Sequence, residues 1–534
     1  MSNTKDLKSS EKRARHGAPH EKLARSLDSL RTLQKDGRRI FKSAELSRTD
    51  RERLLQHGFL REVIRGWLMA TSPDAKPGDT TSWYASFWEF CARYCADRFG
   101  GDWYLSPEQS LLLYAETTLI PPQLVVYSPR GTNNTIGLPF DTSLYDLKQK
   151  EMPPAADLAE KDRLRLFKPA AALVRVPEGF FVTHPIEAQV VLISIEDPSE
   201  ILSRLLDGGQ SVVAGRIAAA FRRVGRADVA DEIVKTMKGA VYDVRESDPF
   251  ASGQKFRSLK PGTAPVVGRI RALWESTREV VLAEFPKAPG LPKDRSAYLK
   301  FVEDIYQSDA FHSLSIEGYS VTPELIDRVK TGNWNPEQNE SDKRNRDALA
   351  ARGYWQAFQQ VKDSVAKIIG GKPAGPLVRS AHRDWYRELF QPMVTAGLLR
   401  AAALAGYRQH PVYLRGSRHV PTRWDSVPDA VNTLFDLLES EKEPCVRAVV
   451  GHWLFGYIHP YMDGDGRMAR FLMNAMLASG GYPWTVIRVD DREKYLKALE
   501  SASVGNDIKP FAAFLAERVK WSTEQAAKKV RQAP

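Results

Sequence analysis

Apolar and polar residues are patterned differently in three stretches of this chain. Near the N-terminus, LARSLDSLRTLQKDG predicts a helix and RRIFKSAELSR a short strand followed by a helix. TDRERLLQHGFLREVIRGWLMA predicts a further helix running into a two-stranded hairpin that turns at Arg65-Gly66. From Leu105 to Phe250 the pattern is mixed. LIPPQLVVYSP and PIEAQVVLISIED read as buried strands, whereas SEILSRLLDG, SVVAGRIAAAFRRVG and ADVADEIVKTMKG carry helical spacing. Ala251 to Pro265, with SGQKF and SLKPGTAP, reads as a linker. Beyond it helical patterns dominate, as in VPDAVNTLFDLLES and RMARFLMNAMLASG, and there is no internal repeat. The expected architecture is multidomain and mainly α.

The stretch from Ile458 to Asn474, IHPYMDGDGRMARFLMN, concentrates the chemistry. An extended segment leads into a helix there, so first-turn N–H groups without intrahelical partners face whatever lies in front of them. With the helix dipole they form an anion site. Gly464 and Gly466 allow phosphate oxygens close to the backbone, and Arg467 and Arg470, three apart, share one face. A calcium loop is excluded by counting from Asp463: a ligand position falls on Arg467 and the twelfth on Asn474, where a glutamate is needed. A polar turn capping a core helix accounts for the glycines and aspartates, but not for His-Pro before them and paired arginines after them.

These residues resemble the active-site motif of Fic-domain proteins, HPFxDGNGRxxR, over His459 to Arg470. Upstream, GYRQHPVYLRGSRHVPTRW resembles the family's β-hairpin flap; downstream, REKYLKALESASVGNDIKPFAAFL resembles its closing helices. The resemblance covers Ser296 to Lys520 and implies an all-helical core that moves AMP from ATP to a Ser, Thr or Tyr hydroxyl of a target protein. In that reading His459 is the general base, since a neutral imidazole suits that task near neutral pH. Asp463 holds Mg²⁺ together with the phosphates. The backbone of Gly464, Asp465 and Gly466 cradles phosphates, Arg467 neutralises the leaving pyrophosphate, and Arg470 and Tyr495 complete the nucleotide site. In the flap, Val412, Tyr413, Leu414 and Arg415 would align a target segment by main-chain pairing; an ordinary covered hairpin fits the alternation as well.

Asp465 departs from the family pattern, which has Asn there. An ionised carboxylate about 4 Å from a phosphate charge costs about 4 kcal/mol at an effective dielectric near 20. A second metal, outward orientation or a raised pKa would relieve this; otherwise Asp465 slows transfer or marks another donor, such as one giving UMP or a phosphoryl group. Far upstream, Phe311-His-Ser313-Leu-Ser-Ile-Glu317-Gly318 matches the inhibitory pattern [S/T]xxxE[G/N] of many Fic proteins. The spacing sets Ser313 and Glu317 one helical turn apart, on a helix expected at about 303–318. A carboxylate delivered to Arg470 would occupy the guanidinium meant for the γ-phosphate.

Composition limits the surroundings. At 534 residues the chain is too long for one core. No apolar run approaches the ~20 residues that span a bilayer, so no membrane role is expected. The charged N-terminus lacks the apolar core of a secretory signal. Cys91, Cys95 and Cys445 make no disulfide framework, and the first two, at i,i+4 in WEFCARYCADRF, read as packed apolar residues. A cytoplasmic setting is expected, and homodimerisation is left open.

Net charge is +11, with much of the excess in the first 65 residues. That region resembles a winged helix of the kind fused to abortive-infection antitoxins, followed by an antitoxin-like α/β region. The resemblance places Arg48, Arg51 and Arg53 toward DNA phosphates or bases, with Arg61 and Arg65 on the wing. A solvated charged surface, or a protein-docking module, reads the same residues without DNA. The expected order is therefore a basic tail (1–22), a winged-helix-like domain (23–104), an α/β domain (105–250), a linker (251–265), a connecting helix (266–295) and a Fic domain (296–525). A DNA-binding regulator with a Fic sensor is the alternative function.

Overall fold

The computed structural model describes residues 19–76, 78–251, 260–333 and 345–532. The basic tail and the centre of the expected linker lie outside them, apart from the tail's last residues. The chain is mainly helical and divides into two compact units. The division does not follow the expected boundaries: residues up to Ser110, Leu119–Ala172 and Tyr413–Val420 form one unit, and Leu111–Thr118, Leu173–Val412 and Pro421 onward form the other.

In the first unit, the helix Pro19–Leu33 is followed by a strand, Ile40–Lys42, and a helix, Arg48–Gln56, capped by the Ser47 hydroxyl. The strands Leu60–Ile64 and Trp67–Ala70 form the hairpin at Arg65-Gly66, and Ile40–Lys42 pairs antiparallel with Trp67–Ala70. Leu30, Phe41, Leu46, Leu54, Leu60 and Leu68 form the common core. The helix expected in RRIFKSAELSR is only a 3-10 turn, Ser43–Glu45. The Glu45 carboxylate accepts the Lys42 N–H at 2.7 Å, and the chain is extended again by Leu46. The helix Thr81–Phe99 buries Cys91 and Cys95 as free thiols among aromatic rings, as expected. A four-stranded sheet follows, in the order Tyr104–Leu105, Gln123–Ser128, Thr142–Lys148, Asn134–Leu138.

The flap tip belongs to this unit and is not a β-hairpin. Ser417 N–H donates to the Leu414 carbonyl at 3.2 Å, closing a turn, but no strands pair around it. The main chain finds other partners: Gly416 N–H donates to Thr80 Oγ1 at 3.1 Å, and the Arg418 carbonyl accepts Ile120 N–H at 3.2 Å. Pro411 and Pro421, which lack N–H donors, bracket the segment and disfavour a ladder.

The second unit is helical. PIEAQVVLISIED, expected as a strand, forms the helix Pro185–Ser194. Pro185 sits at its first position, and Ile186 to Ile193 are all buried. A segment buried on every side is apolar all round, so neither helical nor strand period shows. Ser199–Asp207, Ser211–Arg223 and Ala227–Gly239 are helices as expected. Their basic stretch is neutralised locally: Arg222 pairs with Asp231 and Glu246, and Arg223 with Asp248. The expected connecting helix is Pro265–Glu284, and the helix expected at about 303–318 is Arg295–Ile316. Around them pack Arg346–Ile369, Ala374–Thr395, Val427–Ser440, Pro444–Ile458, Asp465–Ala478, Arg492–Gly505 and Lys509–Gln532. No helix of the described residues is long and apolar enough to cross a membrane.

The Arg269 side chain, 3% exposed, bridges three elements of this unit. It donates to Glu187 Oε1 at 2.8 Å, Thr117 Oγ1 at 3.2 Å and the Tyr457 hydroxyl at 2.8 Å. Glu187 is equally buried, so removing the guanidinium strands a carboxylate away from water. Arg269→Met is expected to destabilise the second unit by about 3–5 kcal/mol, and Arg269→Met with Glu187→Leu to recover most of that. Thermal and urea unfolding of the three chains measures both.

Candidate active site

Two helices frame the motif. Pro444–Ile458 ends at His459, whose backbone is left-handed (φ 53, ψ 64). Asp465–Ala478 begins after Gly464, also left-handed (φ 88), where a Cβ would stand 2.6 Å from the Phe390 ring. His459 and the first turn of the second helix therefore lie at opposite ends of one short loop.

That first turn already faces an anion. A Cβ on Gly466 would lie 2.3 Å from Glu317 Oε1, so the missing side chain is what admits the carboxylate. Glu317 caps the helix Arg295–Ile316, which closes with Tyr319 N–H donating to the Leu314 carbonyl at 3.1 Å. The expected pairing is present. Arg470 donates through Nε to Ser313 Oγ at 2.8 Å, and through Nη2 to the Ser313 carbonyl at 3.0 Å and Glu317 Oε1 at 2.7 Å. Burial pushes the Glu317 carboxyl up, but the charges of Arg470 and Arg467 outweigh it and leave its pKa lowered. The carboxylate is thus ionised at neutral pH.

Arg467 is fully buried, its guanidinium 5.2 Å from the Tyr319 ring centroid and 5.0 Å from that of Phe390. One nitrogen reaches Asp463 Oδ1 at 3.3 Å, while Nε and Nη1 have no hydrogen-bond partner. Buried donors left unmade are costly, and a phosphate oxygen would satisfy them. The Asp463 side chain is 55% exposed, and its Oδ1 accepts Gly464 N–H at 2.6 Å. The described residues contain no cluster of three metal-ligating side chains. One exposed carboxylate beside an anion site fits Mg²⁺ of the kind whose remaining ligands are phosphates and water.

His459 Nε2 lies 3.2 Å from Asp465 Oδ2, and the Gly456 carbonyl accepts a hydrogen bond from the ring. Burial lowers the imidazole to about 4 and raises the Asp465 carboxyl well above its usual value. The imidazole is therefore neutral at pH 7, and burial disfavours the charged form of the Asp465 carboxyl. Asp465 Oδ1 accepts Tyr461 N–H at 3.0 Å, a cap that an amide oxygen would supply equally. The side chain is 1% exposed, which excludes outward orientation, and burial raises its pKa.

The other expected residues are more scattered. Tyr495, expected to bind the nucleotide, is 2% exposed; its hydroxyl lies 2.7 Å from His452 Nε2 and interacts with the Arg470 side chain. Val412 is half-buried in the second unit, whereas Tyr413, Leu414 and Arg415 pack in the first, Tyr413 5.8 Å from the Arg39 guanidinium. Of the five DNA candidates, Arg51 donates to the Ser43 carbonyl, and Arg53 to the Lys22 carbonyl and Ser26 Oγ. Arg61 lies over the Phe140 ring, Arg48 pairs with Glu52, and Arg65 is exposed. Residues not singled out from the sequence are Tyr319 and Phe390, which flank Arg467, and Arg408, which donates to the His459 carbonyl at 2.7 Å. Nothing in local spacing marks them, because each comes from a separate element.

Residues 376–477 match the model of the Fic/DOC family. A protein adenylyltransferase Fic of Nematostella vectensis is 40% identical over 114 residues, 21% of this chain and 26% of that protein. Those of Drosophila willistoni and Aedes aegypti are 36% identical over 115 residues, 21% of this chain and 22% of each relative. The chain thus spans about a quarter of the length of these relatives. Among solved structures, Fic-1 of C. elegans aligns at 16% identity and a TM-score of 0.37, over 64% of this chain and 94% of that one. A Fic domain containing signalling protein of Bacteroides thetaiotaomicron aligns at 20% identity and a TM-score of 0.36, over 50% of this chain and 98% of that one. Residues 376–477 of this chain are a Fic domain.

Proposed function

We propose that the chain is an autoinhibited protein adenylyltransferase, moving AMP from ATP to a hydroxyl of a target protein. The observation that carries this reading is a neutral histidine beside a helix N-terminus whose anion site is held by the chain's own carboxylate. His459 takes the proton of the incoming hydroxyl, whose oxygen attacks the α-phosphorus as the bond to pyrophosphate breaks. The N–H groups at Gly466 and the two unpartnered nitrogens of Arg467 stabilise the charge that develops. Mg²⁺, when bound with the nucleotide at Asp463, neutralises phosphate charge. Glu317 is the brake, because the same Arg470 nitrogen cannot hold both its carboxylate and a γ-phosphate.

Incubation of the full chain with α-labelled ATP and Mg²⁺, followed by gel and mass analysis, tests this. His459→Ala is expected to lower labelling by about 10²–10⁴-fold. Glu317→Gly is expected to raise it. A hydrogen bond to a charged group contributes about 1.5–3 kcal/mol, equivalent to about 10–100-fold. Labelling unchanged in both variants contradicts the reading, and labelling from another donor redirects it.

The pH dependence of the brake has a definite sign. Because the folded pKa of Glu317 is lowered, its ion pair is fully present above the unfolded value of roughly 4.3 and is lost as pH falls through the lower folded value. The labelling ratio of Glu317→Gly to wild type is expected to stay level from about pH 6 to about pH 8. A ratio that falls toward one on mild acidification contradicts it.

A further inference from the structure

Arg408 lies outside the motif, on the stretch that leads into the flap. Its side chain is buried, with the residue 4% exposed, and its hydrogen bonds converge on the base. Nε donates to the His459 carbonyl at 2.7 Å, and Nη2 to the Ile458 carbonyl at 3.3 Å and, more closely, to that of Thr422. Nη1 donates to the His410 carbonyl at 3.0 Å, and the backbone N–H of Arg408 to the Pro460 carbonyl at 2.9 Å.

Three consecutive carbonyls, Ile458, His459 and Pro460, are therefore held by one residue. The first is among the last carbonyls of the helix Pro444–Ile458, which have no intrahelical partner and favour a cation. Between them His459 stands in a left-handed conformation, which costs a non-glycine residue about 1–2 kcal/mol and persists only when its surroundings impose it. The direction of the His459 Cα–Cβ bond follows from that backbone, and with it the aim of Nε2. The remaining two carbonyls, His410 and Thr422, flank segment 411–421.

We infer that Arg408 is the positioning residue for His459: its single buried guanidinium fixes the backbone on both sides of the base and ties it to both stems of the flap segment. The inference deepens the adenylyltransferase reading and rests on it for its kinetic consequence, though not for its structural one. A planar five-donor fork spans carbonyls lying in several directions, whereas an ammonium is a point donor. Arg408→Lys keeps the charge and loses the span, and Arg408→Gln loses both.

The test uses the full chain with ¹⁵N-labelled histidine, His459 being assigned with His459→Gln. In wild type the ring nitrogens are expected to report a single tautomer, since the ring is held between the Gly456 backbone and Asp465 Oδ2. Arg408→Lys is expected to shift them toward the average of both tautomers, and Arg408→Gln further. In a Glu317→Gly background, Arg408→Lys is expected to lower kcat for AMP transfer about tenfold or more, a scale set by small misplacements of a catalytic group. The KM for ATP should change by less than about twofold.

Unchanged ring shifts in the folded variants, or an unchanged kcat, overturn the inference. A KM for ATP that rises in step with the loss of rate also overturns it, since that marks general loosening of the site. Should Arg408→Lys fail to fold, the spectrum of Arg408→Gln decides. If the Glu317→Gly parent transfers no AMP, the adenylyltransferase reading fails by itself, and the ring spectra still decide the role of Arg408.

Discussion

The Arg470 guanidinium, on a residue 4% exposed, lies 2.7 Å from Glu317 Oε1, and the rest of the site is arranged around that contact. A buried charge needs a partner of opposite sign, and breaking such a pair is far costlier than forming it is favourable. The pairing draws in three elements. Ser313 supplies two further acceptors from the helix Arg295–Ile316, and Tyr495 supports the guanidinium from another. Gly466 leaves room for the carboxylate over the first turn of its own helix. Glu317 thus meets the charge of Arg470 while lying over the start of a helix, where the dipole favours an anion.

The same economy explains why Asp465 is tolerated. Its Oδ1 caps the loop through Tyr461 N–H and its Oδ2 faces the base, positions that an asparagine amide would fill with one acceptor and one donor. Burial disfavours the charged form of the carboxyl, whose neutral form matches the amide in shape. The departure from the family motif is chemical on paper and nearly isosteric in the folded chain. Arg467 is the opposite case, since two of its nitrogens are left unpartnered in the interior. Native interiors keep such groups only where strain or a ligand accounts for them.

The motif was legible in the sequence because its parts are local. His459, Asp463, the glycines and the two arginines lie within one loop and one helical turn, where spacing alone sets proximity. Ser313 and Glu317 were legible in spacing, but their partner Arg470 only through the family pattern. Arg408, Tyr319 and Phe390 were not, since they reach the site from elements far apart in the chain. Two further misreadings have simple causes. Pro185–Ser194 is buried all round and shows no period, so its apolar run passed for a strand. The flap alternates like a hairpin, but its main chain pairs with Thr80 and Ile120, and alternation carries no record of who the partner is.

In the function proposed above, Glu317 stands where the γ-phosphate of ATP belongs. Equilibrium titration of wild type and Glu317→Gly with ATP and with ADP, each with Mg²⁺, measures it most directly. In wild type the two nucleotides should bind alike, because the nitrogen that would read the third phosphate is taken. In Glu317→Gly, ATP should bind about 10–100-fold more tightly than ADP, the scale of one charge-assisted contact. Equal discrimination between ATP and ADP in both chains would contradict the account.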